Sequence, residues 1–454
     1  MTDKNFMMAE KIAQKVREEG GCTYYVGGLV RDRLMDRDNK DVDIEIHGVE
    51  PQALLEILTQ LGKPTVMGVS FGIYGLKNYD IDIAMPRKET ATGRGHKDFD
   101  VYVDPYLGTE KAAVRRDFTI NAMMQDVLTG EIVDHFGGQE DLKKGVIRHV
   151  NDVTFVEDPL RVLRAAQFAA RFGFDVAQET VDLSRTMDLT ALAKERIMGE
   201  LEKALLKSQT PSVFFEVLDR MDQMDDWFGE VRALKDVPQD PLHHPEGSVW
   251  NHTMMTLDAA AALRDQAEYP LGFMMTALVH DFGKIVTTEE INGRIHAYAH
   301  ETEGLPLIKQ FLDRICNEVK LQNYVLNMTE NHMKPNRFAS DHADRKKFCK
   351  MFDASVCPED LILMAKADHL GRTDPDSFDE REAFLNGELE VFKERMAQPY
   401  VQGRDLVEAG LKPGPEFHDA LEYAHKLRLA GVPKEKALPQ TLSYYKQSAA
   451  HGNT

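Results

Sequence analysis

The first 150 residues of the chain alternate short apolar runs with amphipathic stretches, and the pattern beyond them is helical almost to the end. A polar helical segment at the N-terminus leads to the apolar run Tyr24-Tyr25-Val26, which stops at Gly27-Gly28 before a polar helical stretch from Leu29. In Asp41-Val-Asp-Ile-Glu-Ile46 polar and apolar residues alternate with a period of two, which predicts a strand with one polar face. A helix over about 50–61 and short strands near 65–84 are expected next. Residues 86–108 are polar and contain glycine, so a loop is expected there, with one short strand at Phe99–Val103. From about Asp158 the period becomes helical, and Pro159 stands near a helix start, a position that suits its fixed φ. The pattern predicts an α+β chain, a small α/β head on a long α-helical body. The expected divisions are residues 1–150, 151–236, 237–385 and 386–454. The proline-containing polar stretch at 237–247 marks the clearest boundary, and a softer one is expected near 385–400.

Two residue groups carry chemistry. Asp41 and Asp43 lie two apart in a strand pattern, so their carboxylates point to one face and can hold divalent cations. Asp80 and Asp82 repeat the spacing in Asn78-Tyr-Asp-Ile-Asp-Ile83, and Asp82 is a candidate third carboxylate from a neighbouring strand. Gly27 and Gly28 allow backbone N–H groups to approach a triphosphate, and Arg31 follows within reach of a phosphate. An Asp-x-Asp pair alone also occurs on ordinary surface strands; the preceding glycines and arginine make it informative. The second group is His252, His280-Asp281 and Asp368, from separate helical segments, with His300 and His332 as further candidates. Imidazole and carboxylate groups converging from different helices suit a divalent metal, and Lys284 is placed to meet a phosphate.

Size and composition limit what these groups can belong to. The chain has 454 residues, enough for several cores, and 43% of them are apolar. No run of 18 apolar residues suggests a membrane span, and the N-terminus lacks the apolar centre of a signal peptide. Cys22, Cys316, Cys349 and Cys357 are scattered, as expected for reduced thiols in a cytoplasmic protein. The formal charge of −20, from 55 Lys+Arg against 75 Asp+Glu, argues by itself against nucleic-acid binding. Any phosphate-binding surface must therefore be a local basic cleft serving a transient substrate.

The run Tyr24-Tyr-Val-Gly-Gly-Leu-Val-Arg-Asp-Arg-Leu-Met35 followed by Lys40-Asp-Val-Asp-Ile-Glu-Ile-His-Gly48 resembles the signature of polymerase-β-like nucleotidyltransferases, specifically the bacterial CCA-adding enzyme and poly(A) polymerase family. Arg115-Arg-Asp-Phe-Thr-Ile-Asn-Ala-Met123, Asp134-His-Phe-Gly-Gly-Gln-Glu-Asp-Leu142 with Arg148, Glu157-Asp-Pro-Leu-Arg161-Val-Leu-Arg164 and Glu195-Arg-Ile-Met-Gly-Glu200 resemble its later blocks in order. The resemblance implies a catalytic set of Asp41, Asp43 and Asp82 with Mg²⁺, and a triphosphate held by Gly27, Gly28 and Arg31. It implies that Arg115, Arg116, Asp117 and Asn121 shape the sugar and phosphate side. Asp158 and Arg161 would read the base edge, supported by Glu157 and Arg164. Gln167 departs from the family, whose members often carry a basic residue there. The implied partners are the tRNA 3′ end, CTP and ATP, with no membrane, and the implied reaction is CCA addition. The segment at 86–108 resembles one that helps a pocket switch from C to A. A bacterial poly(A) polymerase, an A-only or CC-only adding enzyme, and a non-catalytic RNA-binding protein are the alternatives.

Residues from about 250 to 370, with His280-Asp-Phe-Gly-Lys284, resemble the HD phosphohydrolase superfamily. That resemblance implies a divalent metal at His252, His280, Asp281 and Asp368, completed by His300 and His332, and a phosphatase or 2′,3′-cyclic phosphodiesterase activity. Gln402-Gly-Arg-Asp-Leu-Val-Glu-Ala-Gly-Leu-Lys-Pro-Gly-Pro415 resembles a motif that follows this domain in longer bacterial members, with Arg404, Lys412, Lys426 and Arg428 as candidate tRNA contacts. The competing reading of that segment is a helix ended by a Gly/Pro turn.

Overall fold

The computed structural model describes residues 2–68, 72–91, 99–414 and 416–451. The chain divides into two compact units: residues 1–204 with 213–226, and residues 205–212 with 227–454.

The first unit is built on strands β1 (Cys22–Val26), β2 (Val42–His47), β3 (Pro64–Gly68), β4 (Ile73–Leu76), β5 (Ile81–Ala84), β6 (Arg87–Ala91), β7 (Phe99–Val103), β8 (Met124–Asp126) and β9 (Ile132–Val133). Among the described residues, seven of them form one sheet in the order β3-β4-β5-β2-β1-β8-β9. β2 pairs in parallel with β5, which brings Asp43 opposite Asp82. The alternation in β2 decides this placement. Val42, Ile44 and Ile46 pack into the core with Leu54, Ile57 and Leu58 of the helix Pro51–Leu61, so the acidic residues between them must face the other way. Mixed α and β elements in this unit and a mainly helical remainder agree with the architecture read from the sequence.

In the segment at 86–108 the strand expected at Phe99–Val103 is present, and part of the expected loop is a second strand, Arg87–Ala91, paired antiparallel with it, Arg87 opposite Val103 and Ala91 opposite Phe99. The first of its strands, Arg-Lys-Glu-Thr-Ala, has almost no apolar signal; pairing with the second supplies what its own composition lacks.

In the second unit the helix Pro270–Val279 is apolar all round and buried from Gly272 onward. It packs against the helices Val249–Leu263, Val319–Asn331 and Pro358–Leu370, as a helix without a polar face must. The unit begins upstream of the proline-containing stretch at 237–247. The helix Asp379–Ala397 runs through most of the softer boundary expected near 385–400. A small core of Val401, Leu406, Ala420, Ala424 and Ala437 follows. There Arg428 donates to the carbonyls of Arg395 (3.0 Å) and Gln398 (2.7 Å), so its guanidinium caps a helix end. Lys426 lies beside Glu422 at 3.7 Å. No described helix is long and apolar enough to cross a membrane, and the four cysteines are free.

Asp360 holds the helical layers together. Fully buried, it accepts hydrogen bonds from the Glu268 and Tyr269 backbone N–H groups (2.8 and 3.1 Å) and from the Tyr324 hydroxyl (2.6 Å). Asp360→Ala would take the acceptor from three donors, the Tyr324 hydroxyl buried and the two N–H groups part-buried, and we expect a loss of roughly 3 kcal/mol, read as a lower denaturation midpoint of the second unit.

Candidate active sites

The carboxylates of the first unit gather at the β2–β5 pair. Asp41 stands just before β2, Asp43 is in it, and Asp82 is its neighbour in β5. Burial, the neighbouring Asp82 and, more weakly, Asp41 and Asp80 raise the Asp43 pKa, while Arg116 opposes them. Negative charge crowded this way favours a cation.

Two residues further along the same face, Glu45 is fully buried. Burial alone would raise its pKa. The hydrogen bond with His47 (2.9 Å) and the charges of Arg116 and Arg115 outweigh burial and bring it down to about 2. Glu45 therefore anchors two arginines, with Arg116 at 3.4 Å and Arg115 at 4.0 Å. It was not singled out in the sequence, although its place in the Asp-x-Asp-x-Glu alternation signals it. Gly27 makes the turn from β1 into the helix Gly28–Leu34 with φ 67° and ψ −132°, a conformation that excludes side chains. A Cβ there would lie 3.5 Å from the Arg116 guanidinium, so Arg116 sits beside the glycine turn as well as the carboxylates.

Arg31 is placed differently. It is buried, donates to Asp32 (2.8 Å) and Asn121 (2.6 Å), and lies over the rings of Phe168 and Phe172. It belongs to a network centred on Asp117, whose carboxylate accepts from Arg164 Nε and Nη2 (2.8 and 2.6 Å), Asn121 Nδ2 (3.0 Å) and the Phe118 N–H (2.8 Å). Burial opposes ionisation, but the Arg164 charge and these donors hold the Asp117 pKa below its ordinary value.

The helix Leu160–Phe172 presents Arg161 and Arg164 to this region, and the helix Lys194–Lys207 braces it. Arg196 donates to both oxygens of Asp158 (3.1 and 2.9 Å), and Glu200 lies 3.8 Å from Arg164. Arg161 donates to the Thr154 and Arg115 carbonyls, both at 2.6 Å. Glu157 is exposed at the same turn, and Gln167 is buried in the helix interior. Arg196 is a further site residue that the sequence reading passed over within a block it had quoted.

In the second unit a histidine–carboxylate cluster forms where helix ends converge. His252 comes from Val249–Leu263, His280-Asp281 follows Pro270–Val279, His332 follows Val319–Asn331, and Asp368 lies in the last turn of Pro358–Leu370. His300 opens the short helix His300–Glu303. His252 Nε2 is 2.9 Å from Asp368 and 3.7 Å from Asp281; His280 Nε2 is 3.4 Å and His300 Nε2 3.3 Å from Asp281. Donor atoms of His252, His280 and Asp281 lie within 4.8 Å of one another, as do those of Asp281, His300 and His332. Asp281 belongs to both groups. Lys284 reaches Asp281 at 2.8 Å.

The tautomers point the same way. His280, His300 and His332 each donate Nδ1–H to the carbonyl three residues earlier, at 2.9, 3.0 and 2.6 Å. Among the described residues their Nε2 atoms are buried with no well-formed hydrogen bond, and Asp281 Oδ2 is met by Lys284 at 2.8 Å. Lone pairs left open in this way are the donor set of a cation site. Burial, with the neighbouring His280 and His300, keeps His332 neutral down to about pH 3, the form that ligates. His244 and Glu246 extend the cluster: Glu246 is 2.8 Å from His244 Nδ1 and 3.1 Å from His252 Nδ1. Both residues lie in the stretch at 237–247, whose composition suggests a domain boundary.

A mixed sheet that sets carboxylates of adjacent strands beside a glycine turn is the frame of a nucleotidyltransferase head. The Poly A polymerase head domain family matches residues 23–148. The chain belongs to the family of multifunctional CCA proteins. It is 35% identical over 428 residues to the multifunctional CCA protein of Pseudomonas fluorescens, spanning 92% of this chain and 99% of that one. It is 33% identical over 400 residues to that of Acinetobacter baylyi, spanning 85% and 94%. Among solved structures it shares the fold of a CCA-adding enzyme in complex with ATP, with a TM-score of 0.65, 21% identity and coverage of 96% and 92%. It also shares that of the Thermotoga maritima CCA-adding enzyme complexed with tRNA, with a TM-score of 0.63, 21% identity and coverage of 97% and 94%.

Asp117→Ala would leave Arg164 and Asn121 facing a buried gap. We expect roughly 3–5 kcal/mol of lost stability in the first unit, read by chemical denaturation. Because the folded pKa of Asp117 is depressed, its contribution is full above the ordinary carboxylate range. It disappears as the pH falls through the folded value.

Proposed function

We propose that the first unit adds CCA to the 3′ end of tRNA from CTP and ATP at the β2–β5 carboxylates. The chain is a CCA tRNA nucleotidyltransferase, in keeping with its family and with relatives solved with ATP, CTP and tRNA. The observation that carries the assignment of the site is the register that sets Asp43 against Asp82. Divalent cations, typically Mg²⁺, would be held by Asp41, Asp43 and Asp82 and would stabilise the charge on the attacking and leaving oxygens. The tRNA 3′ oxygen bonds to the α-phosphorus of the incoming nucleotide, and the bond to the bridging oxygen breaks to release pyrophosphate. The Gly27 turn, Gly28 and Arg116 bind the triphosphate. Arg115 and Arg116 are held in place by Glu45. Arg31 and Asn121 support the pocket through Asp117. Asp158 and Arg161 offer an acceptor and a donor fork to the base edge, replacing a template. Arg196 and the Thr154 and Arg115 carbonyls set the orientation of that pair.

The second reading concerns the other unit, which we infer to be an HD-type phosphohydrolase. The buried Nε2 atoms of His280, His300 and His332, with no well-formed hydrogen bond among the described residues, and the Asp281 carboxylate shared between their groups support it. His252, His280, Asp281 and Asp368 would hold a divalent cation, with His300 and His332 completing a second position that shares Asp281. Bound cations would activate water for attack on a phosphoester. Lys284 neutralises Asp281, and Glu246 orients His252. The substrate class would be phosphomonoesters or 2′,3′-cyclic phosphates at damaged tRNA ends.

Incubation with tRNA lacking its last three nucleotides is expected to give growth by three nucleotides only when CTP and ATP are both present. Extension should vanish in an Asp41→Ala/Asp43→Ala variant. A long tail from ATP alone would replace this reading with poly(A) synthesis. For the second unit, Asp281→Asn is expected to lower the bound metal per chain severalfold and to abolish phosphoester hydrolysis, with CCA addition retained. Unchanged metal content would refute the ligand assignment.

A further inference from the structure

The histidine–carboxylate cluster of the second unit is not sealed. A cavity of about 370 Å³ lies over it, lined by His244, Lys284, His296, Tyr298, His300 and Arg372 among others. That volume is within the ~300–1,000 Å³ range of small-molecule pockets. His300 belongs to the cluster, so the cavity reaches the cluster at that residue.

The lining of this cavity combines two chemistries. On one wall the hairpin Thr288–Ile291/Arg294–Ala297 supplies His296, whose ring stacks on that of Tyr298 with centroids 5.0 Å apart and planes within 9°. Tyr298 is 65% exposed, so core packing does not account for the ring. Ala299, between Tyr298 and His300, adopts a φ of 57°, which a residue with a Cβ rarely takes. This kink lets the aromatic ring and the cluster histidine line the same cavity. Arg372, four residues after Asp368, also lines the cavity, and its charge acts on that carboxylate. Its Nε is buried without a hydrogen-bond partner among the described residues. Lys284, by contrast, is already engaged with Asp281 and Gln239, each at 2.8 Å.

A ligand for this cavity carries an anion at one end and a flat unsaturated ring at the other. We propose that the cavity is a terminal-nucleotide subsite. Arg372 holds the phosphoryl group over the cluster, and the Tyr298–His296 stack receives the base. Stacking reads a π-face and not a hydrogen-bonding edge, so the subsite accepts any base. The inference rests on the hydrolase reading for its purpose, but its ligand binding is measured separately from hydrolysis.

Calorimetric titration of the full-length protein with adenosine 3′-monophosphate and with inorganic phosphate tests it. Tyr298→Ala is expected to weaken the nucleotide roughly tenfold or more and to leave phosphate unchanged, while Tyr298→Phe restores nucleotide affinity. Arg372→Met is expected to weaken both ligands. CCA addition in every variant should equal that of the unaltered protein, which checks folding. The subsite is overturned if the unaltered protein does not bind the nucleotide, if Tyr298→Ala binds it as before, or if that variant loses phosphate equally. Binding through Tyr298 without any hydrolysis of adenosine 2′,3′-cyclic monophosphate would sink the hydrolase reading and keep the subsite. Hydrolysis with unaltered nucleotide binding by Tyr298→Ala would sink the subsite alone.

Discussion

A buried carboxylate must have its lone pairs filled or lose its charge, and Asp117 meets that constraint at the centre of the first unit. Its partners come from different parts of the chain: the Phe118 N–H and Asn121 from its own segment, and Arg164 from the helix Leu160–Phe172. Asn121 in turn accepts from Arg31, beside the Gly27 turn, and Glu200 lies near Arg164. One acidic side chain thus ties the sheet with the candidate carboxylates to the helix with the candidate base-reading pair. Charge-assisted bonds in a low-dielectric interior are directional, so they fix orientation as well as proximity.

The same physics explains how a chain with net charge −20 can serve an RNA substrate. Several of its acids are counterparts of arginines and histidines and add little free negative surface. Glu45 faces Arg115 and Arg116, Asp158 faces Arg196, and Asp281 and Asp368 face histidines. Arginines anchored in this way keep further donors for a phosphate or a base, and their position is set before the ligand arrives. Arg428 shows the reverse case. Its donors are spent on backbone carbonyls, so its charge in the sequence does not translate into an RNA contact of the same strength.

The two candidate sites differ in how their groups are brought together. The carboxylates of the first unit come from adjacent strands, so sheet register alone sets Asp43 against Asp82. The second cluster depends on the ends of several helices meeting around one apolar helix, with the imidazoles of His280, His300 and His332 each turned inward by a local carbonyl. Packing of the central helix and chemistry of the cluster are therefore coupled.

Local pattern sufficed where the physics is local. Alternation in Asp41–Ile46 determined the strand and its acidic face. The ordered motifs determined the family, and the residue types at 252, 280, 281 and 368 determined a candidate metal site. Pairings between distant segments were decided only by the tertiary structure, because no residue's own periodicity encodes its partner. The pairing of β6 with β7 is the plain case, since a polar strand becomes a strand only when another lies beside it. Glu45 and Arg196 stood inside recognised blocks, yet only burial revealed the charges they compensate. The stretch at 237–247 has the composition of a linker, and it took the fold to place His244 and Glu246 against His252. Arg31 was legible as a cation near the glycines, but the direction of its guanidinium depends on Asn121 and two phenylalanines far along the chain. Composition decides which atoms are available for charge and coordination; three-dimensional packing decides which of them lose water together, and that determines where a charge or a lone pair is directed.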